Sequence, residues 1–161
     1  MKYPERPSGT VGQALLIASI LIVGMRLFIF DIVRVEGASM EPVVSDEQTI
    51  LVNRLAYELS NPRRGDIAVL RPAKAGPSSV KRIVGLPGDP IELRAGRYLK
   101  LNRESFLLSS PVSRALEGLD AIPAGFYFVV GDNPERSYDS RHFGLVSREE
   151  LRGRSIGEPD D

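Results

Sequence analysis

The chain has no cysteine, which excludes disulfides, thiolate metal sites and cysteine nucleophiles. It has a single histidine, His142. A histidine-rich metal site is therefore impossible, and any Ser-His-Asp triad has to use that one residue. An excess of charge is also missing. The 21 basic residues face 21 acidic ones, for a formal net charge of zero, so nothing points to nucleic acid or to a strongly anionic partner. Lysine is scarce: only Lys2, Lys74, Lys81 and Lys100 stand among 17 arginines. A guanidinium does not give up its proton at working pH and cannot be a general base. A lysine buried in an apolar site can.

The 161 residues suffice for one domain and not comfortably for two. One long apolar run is present. Residues 11–30, VGQALLIASILIVGMRLFIF, extend about 30 Å as a helix, the thickness of a bilayer core. The run carries one amide, Gln13, and one charge, Arg26, which lies about a turn from the outer end and can snorkel to the headgroups. It is too long for the core of a cleavable signal peptide, and no small-x-small cleavage site follows Phe30 directly. It predicts a transmembrane anchor. Lys2 and Arg6 precede it and Arg34 follows it. The positive-inside rule then puts residues 1–10 in the cytoplasm as a short tail and residues 31–161 outside.

Beyond the run the pattern becomes that of strands. Residues 48–54 (QTILVNR), 66–71 (DIAVLR), 80–85 (VKRIVG) and 126–131 (FYFVVG) are short β-branched or aromatic stretches bounded by turn residues. Residues 91–102 read as a hairpin turning at Ala95-Gly96. Ser147-Arg148-Glu149-Glu150 fits a capping box before a short helix. Residues 104–124 show little periodicity and read as a long connection or irregular insertion. The fold expected is mainly β, one antiparallel domain tethered by one N-terminal helix.

Four segments carry possible chemistry: residues 37–42 (GASMEP), 64–70 (RGDIAVL), 81–89 (KRIVGLPGD) and 131–141 (GDNPERSYDSR). Singly, each has an ordinary structural explanation. A serine in a Gly/Pro loop is usually a turn residue. A lysine opening an apolar strand is usually solvated.

Together they resemble the bacterial type I signal peptidase family, the Ser/Lys-dyad serine peptidases of family S26, over residues 35–157. The nucleophile motif Ser-Met-x-Pro reads Ser39-Met40-Glu41-Pro42. The base motif Lys-Arg-x-x-Gly-x-Pro-Gly-Asp is complete from Lys81 to Asp89. Gly-Asp-Asn followed by Ser-x-Asp-Ser-Arg is present at 131–133 and 137–141. Two positions depart from the family pattern. Val43 stands where threonine is usual, and Pro134 where arginine is usual; neither holds the nucleophile or the base.

The resemblance implies a signal-peptidase-like β-sheet catalytic domain with Ser39 as nucleophile and Lys81 as general base. It implies that Ser137 orients the lysine. It assigns the oxyanion hole to the Ser39 backbone N–H, with Gly37 able to contribute only through its backbone. Arg82, Asp132, Asp139 and Arg141 are implied as ion pairs that support the site, and His142 as a polar residue at its rim. The implied substrates are signal peptides of exported preproteins, cut after small residues beside the bilayer. No metal or organic cofactor is implied. The alternatives are a specialised Ser/Lys maturation protease for a pilin-like or conjugation protein, a self-cleaving repressor-type relative, and an inactive peptide-binding domain. The membrane run, with no DNA-binding module before Ser39, argues against the second. The intact Ser39, Lys81 and Ser137 argue against the third.

Overall fold

The computed structural model describes residues 10–71 and 78–157. All of the expected cytoplasmic tail except Thr10 lies outside the described residues, as do Lys2 and Lys74. The chain begins with helix α1 (Thr10–Ile29). Strands β1 (Phe30–Arg34), β2 (Thr49–Asn53), β3 (Ile67–Leu70) and β4 (Ser79–Gly85) follow, with the short helix α2 (Ala56–Leu59) between β2 and β3. Next come β5 (Glu92–Arg94), β6 (Tyr98–Leu101), β7 (Glu104–Leu107) and α3 (Ser110–Leu116). The chain closes with β8 (Phe126–Val130), α4 (Ser140–Phe143), β9 (Val146–Ser147) and β10 (Leu151–Ile156).

Seven strands form one sheet in the order β1-β2-β10-β3-β4-β8-β9, and every pairing is antiparallel. The strands β5-β6-β7 form a second, smaller sheet, inserted in the sequence between β4 and β8. The main sheet is covered on both faces, and β3 shows why its sequence is apolar throughout. Alternate side chains point to opposite faces. Ala68 and Leu70 join one core with Ile83, Tyr127 and Val129. Ile67 and Val69 join another with Met40, Val44, Val52 and Val80. A third core, of Leu99, Leu101, Leu108, Val112, Leu116 and Phe128, lies where the inserted unit meets β8. Gly85 sits in the crowded end of β4. A Cβ there would come within 2.7 Å of both Ile122 and Phe128.

The expected hairpin forms. Ala95 and Gly96 both have positive φ, 47° and 67°, in a tight turn closed by Arg97 N–H donating to Arg94 O at 3.1 Å, and Arg94 pairs with Tyr98 across a three-residue connection. The capping box at 147–150 also forms, around a single 3-10 turn. Residues 104–124 differ from expectation. They contain β7, which pairs with β6 after a turn at Asn102 (φ 55°), and α3. Val112 and Leu116 lie four apart and both are buried, but the helix is seven residues long and shows one apolar contact line too brief to read as periodicity. The first strand also differs. Phe30 opens β1 rather than closing the helix, because its backbone continues into the pairing Phe30↔Asn53 through Arg34↔Thr49.

Helix α1 packs little against the sheet. Leu15, Leu16, Ile20, Leu21, Ile22 and Val23 are all exposed. The fold by itself gives a mainly antiparallel β domain preceded by a 20-residue helix.

Candidate active site

Ser39 is the middle residue of a 3-10 turn, Ala38–Met40. Its neighbours fix it. Met40 is fully buried in the core with Val35, Val44 and Ile50, so the motif's methionine acts as a plug that anchors the loop beside the sheet. Val44 N–H donates to Met40 O at 2.9 Å. Val43, the departure from the family threonine, is half-buried against the same apolar cluster. On the other side Gly37 has φ 89°, a backbone region that side chains other than glycine rarely adopt.

Lys81 comes from β4, where it pairs with Ala68 of β3. Its Nζ lies 2.9 Å from Ser39 Oγ, within hydrogen-bond reach. The lysine is only 4% exposed, and its sequence neighbour Val80 is buried with it. Burial pulls the Lys81 pKa down from the ordinary lysine value; the nearby Asp139 carboxylate opposes that shift and Arg141 reinforces it.

The loop after β8 closes the site from the far side. Asn133 N–H donates to Ser39 O at 3.0 Å. Gly131 makes this approach possible, because a Cβ there would lie 2.4 Å from Ser39 O and 2.3 Å from Ser137 Oγ. Asp139 is completely buried and densely hydrogen-bonded. Its carboxylate accepts from Gly131 N–H (3.0 Å), Ser137 Oγ (2.6 Å), Arg141 N–H (3.1 Å), Arg141 Nε (2.8 Å) and Arg141 Nη2 (2.6 Å). Burial alone would raise its carboxyl, but the bonds from Arg141, Ser137 and Gly131 outweigh that effect and hold the pKa below the ordinary value. Arg82, next to Lys81 on β4, grips Asp132 with two bonds of 2.8 and 2.9 Å and donates to Gly65 O at 2.8 Å. Pro134 opens a 3-10 turn, Pro134–Arg136, and its carbonyl accepts from Arg141 at 3.2 Å.

Two residues, Ser137 and Gly37, stand differently from what the resemblance implies. Ser137 is buried beside the site, but its hydroxyl donates to Asp139 Oδ2, and among the described residues no hydrogen bond joins it to Lys81. The shorter, charge-assisted bond to a carboxylate is the stronger one. The Gly37 backbone N–H donates to Asp46 Oδ1 at 2.7 Å, so in this arrangement it is not free to serve as a second oxyanion donor. His142 is partly exposed, stacks on Tyr138 at 5.2 Å, and has its Nδ1 3.9 Å from Asp139 Oδ1. Asp139 is already saturated by stronger donors.

Two supports of the site have no clear mark in the sequence. Asp46 holds Gly37, and no spacing rule links the two positions. Arg64 binds Asp89 through both carboxylate oxygens at 2.8 Å, and Leu86 N–H donates to Asp89 at 2.6 Å. Together they close the Gly-Leu-Pro-Gly turn that follows β4. Both residues lie in motif segments, which is a signal of a kind, but charge pairing across 25 residues is invisible without the fold. Ser39 and Lys81 line one cavity of about 300 Å³ with Val33, Val35, Ser79 and Val80. Among the described residues no three His, Asp or Glu side chains converge to hold a metal ion.

These motifs can be set beside known proteins. A family model described as signal peptidase, peptidase S26, matches residues 8–157. A probable signal peptidase I-2 of Synechocystis is 32% identical over 162 residues, covering 95% of this chain and 73% of that protein. Signal peptidase I P of Bacillus subtilis subsp. natto is 34% identical over 154 residues, covering 88% and 83%. A signal peptidase I of Enterococcus faecalis, known from its crystal structure, is 30% identical; the match covers 59% of this chain and 97% of that one, with a TM-score of 0.41. On the strength of the family model and the sequence relatives, the chain belongs to the signal peptidase family, peptidase S26.

Proposed function

We propose that this chain is a signal peptidase I: a membrane-anchored serine endopeptidase that removes signal peptides from exported preproteins after small residues. Ser39 is the nucleophile and Lys81 the general base. The observation that carries this reading is the 2.9 Å contact between Lys81 Nζ and Ser39 Oγ, made by a buried lysine whose pKa is pulled down.

The chemistry follows from that contact. Neutral Lys81 accepts the Ser39 hydroxyl proton as Oγ attacks the scissile carbonyl. The resulting ammonium passes the proton to the leaving amine, and the peptide bond breaks to leave an acyl-enzyme on Ser39. Lys81, neutral again, deprotonates a water that attacks the ester carbonyl, and the serine is regenerated. The Ser39 N–H stabilises the oxyanion in both steps. Ser137 and Arg141 act at one remove: they fix and neutralise Asp139, whose free charge would otherwise hold Lys81 as an ammonium. The apolar lining by Val33, Val35 and Val80 suits small substrate side chains beside an extended backbone.

Helix α1 anchors the chain. Its 20 residues reach about 30 Å, and its apolar side chains are exposed rather than packed on protein, an arrangement unfavourable in water and favourable in lipid. Gln13 and Arg26 lie near its two ends. The anchor holds the site beside the bilayer in which the signal peptide is embedded, which raises effective concentration. The N-terminus is cytoplasmic and the β domain faces outward.

Three outcomes are expected. Against several unrelated preproteins, Ser39→Ala and Lys81→Arg each lose about a thousand-fold or more in cleavage rate, while His142→Ala stays within about two-fold; activity that survives Lys81→Arg, or depends on His142, rules out the lysine mechanism. Lys81→Met raises the thermal midpoint at neutral pH. The folded pKa of Lys81 lies below its unfolded value, so between the two values the unfolded chain holds more protons and stability climbs with pH. The advantage of methionine is therefore greatest below the folded pKa and vanishes near the ordinary lysine value. Paired melts across that range check it, and a variant clearly less stable at neutral pH contradicts it. In spheroplasts, added protease digests residues beyond 31 and spares an epitope placed before residue 10; full protection of the β domain reverses the topology.

A further inference from the structure

The last turn of α1 borders a second cavity, of about 720 Å³, lined by Phe28, Arg54, Leu55, Glu58, Arg71 and Arg152. None of these residues lines the cavity of Ser39 and Lys81. Three guanidiniums reach it from separate parts of the chain: Arg54 just past β2, Arg71 just past β3, and Arg152 on β10. Arg152 is paired with Asp31 at the start of β1. The side chains of Arg54 and Arg71 have no hydrogen bond or ion pair among the described residues. Their backbones are nevertheless fixed: Arg54 N–H donates to Ile29 O at 2.9 Å and Arg71 N–H to Glu150 O at 2.7 Å. The cations are thus held in place at the root, with no partner at the tip among the described residues.

The lining holds one carboxylate, Glu58. Even with Asp31 set against Arg152, the site keeps a positive balance. One large apolar side chain of its lining stands in the open, and another follows Glu58 in the sequence. Phe28 is 78% exposed, and Leu59, at the end of α2, is 80% exposed. Guanidinium forks suit phosphate oxygens, and exposed hydrocarbon of this size marks an interaction surface. A free phosphate would engage the arginines and leave Phe28 and Leu59 in water; a molecule anionic at one end and apolar at the other covers both.

We propose that this pocket binds the phosphate headgroup of an anionic phospholipid, with an acyl chain running along the Phe28 side of α1. The proposal rests on the reading of α1 as a membrane anchor, which sets the C-terminal turn of the helix, and the pocket with it, at headgroup depth.

The test uses the full chain purified in detergent micelles doped equally with phosphatidylglycerol and phosphatidylcholine, with retained lipid counted by native mass spectrometry. The unaltered chain retains phosphatidylglycerol over phosphatidylcholine by about ten-fold. Arg54→Gln with Arg71→Gln brings the ratio down to that of the micelle, and Glu58→Gln raises it. A thermal melt confirms that both variants fold. Equal retention of the two lipids by the unaltered chain, or an unchanged ratio in the double arginine variant, overturns the proposal. Displacement of phosphatidylglycerol by millimolar inorganic phosphate overturns it in favour of a free-phosphate site. Carbonate extraction of native membranes tests the anchor separately. A chain that resists carbonate but shows no lipid preference defeats the pocket alone. A chain released by carbonate that still prefers phosphatidylglycerol defeats the anchor reading and the headgroup-depth argument with it.

Discussion

The proposed mechanism needs a primary amine kept neutral beside a serine hydroxyl, and the burial of Lys81 2.9 Å from Ser39 Oγ is the constraint around which the neighbouring loops are arranged. Taking an ammonium out of water is unfavourable, so burial alone drives Lys81 toward its neutral form. The buried Asp139 works in the opposite direction, because its negative charge favours the ammonium. Arg141 resolves the conflict. It binds both carboxylate oxygens of Asp139, so the carboxylate faces Lys81 as half of an ion pair rather than as a bare charge. The same pair lets Asp139 stay ionised while fully buried, since its strong acceptor sites are filled.

The geometry depends on two loops and strand β4 meeting within a few ångströms. The Ser39 turn is held by Met40 in the core, Lys81 by β4 inside the sheet, and the closing loop by Gly131, Asn133 and Asp139. Arg82 links the last two, because it leaves β4 next to Lys81 and grips Asp132 immediately after Gly131. Alternation along the strand makes this economical: neighbouring residues of β4 point to opposite faces, one toward the serine and the other toward the loop that covers it. The missing side chain at residue 131 is what lets the loop come close enough.

Much of this is legible in the amino-acid sequence. Strands β2, β3, β4 and β8 announce themselves through β-branched runs bounded by turn residues, and the hairpin through Ala95-Gly96. Serine and lysine are singled out by the scarcity of histidine, cysteine and lysine as much as by motif. The features that stay hidden do so for physical reasons. Strand β1 is continuous in sequence with the apolar helix, so composition alone does not mark the change at Phe30. Helix α3 is too short to show a period. Partners such as Asp46 for Gly37, or Asp89 for Arg64, are set by which loops the sheet brings together. The motif puts Ser137 beside the site, yet its hydroxyl bonds Asp139, because an ionised carboxylate two residues away is a better acceptor than an amine.

The most direct test of the account is the titration of Lys81 itself, followed in the intact chain in micelles by NMR of its ε-methylene carbon and assigned by its absence in Lys81→Arg. The account predicts a midpoint clearly below the ordinary lysine value of about 10.4, and a further fall in Asp139→Asn, where the opposing charge is gone. A midpoint at or above the ordinary value would show an ammonium held by Asp139, and the lysine would then be a structural cation instead of the base.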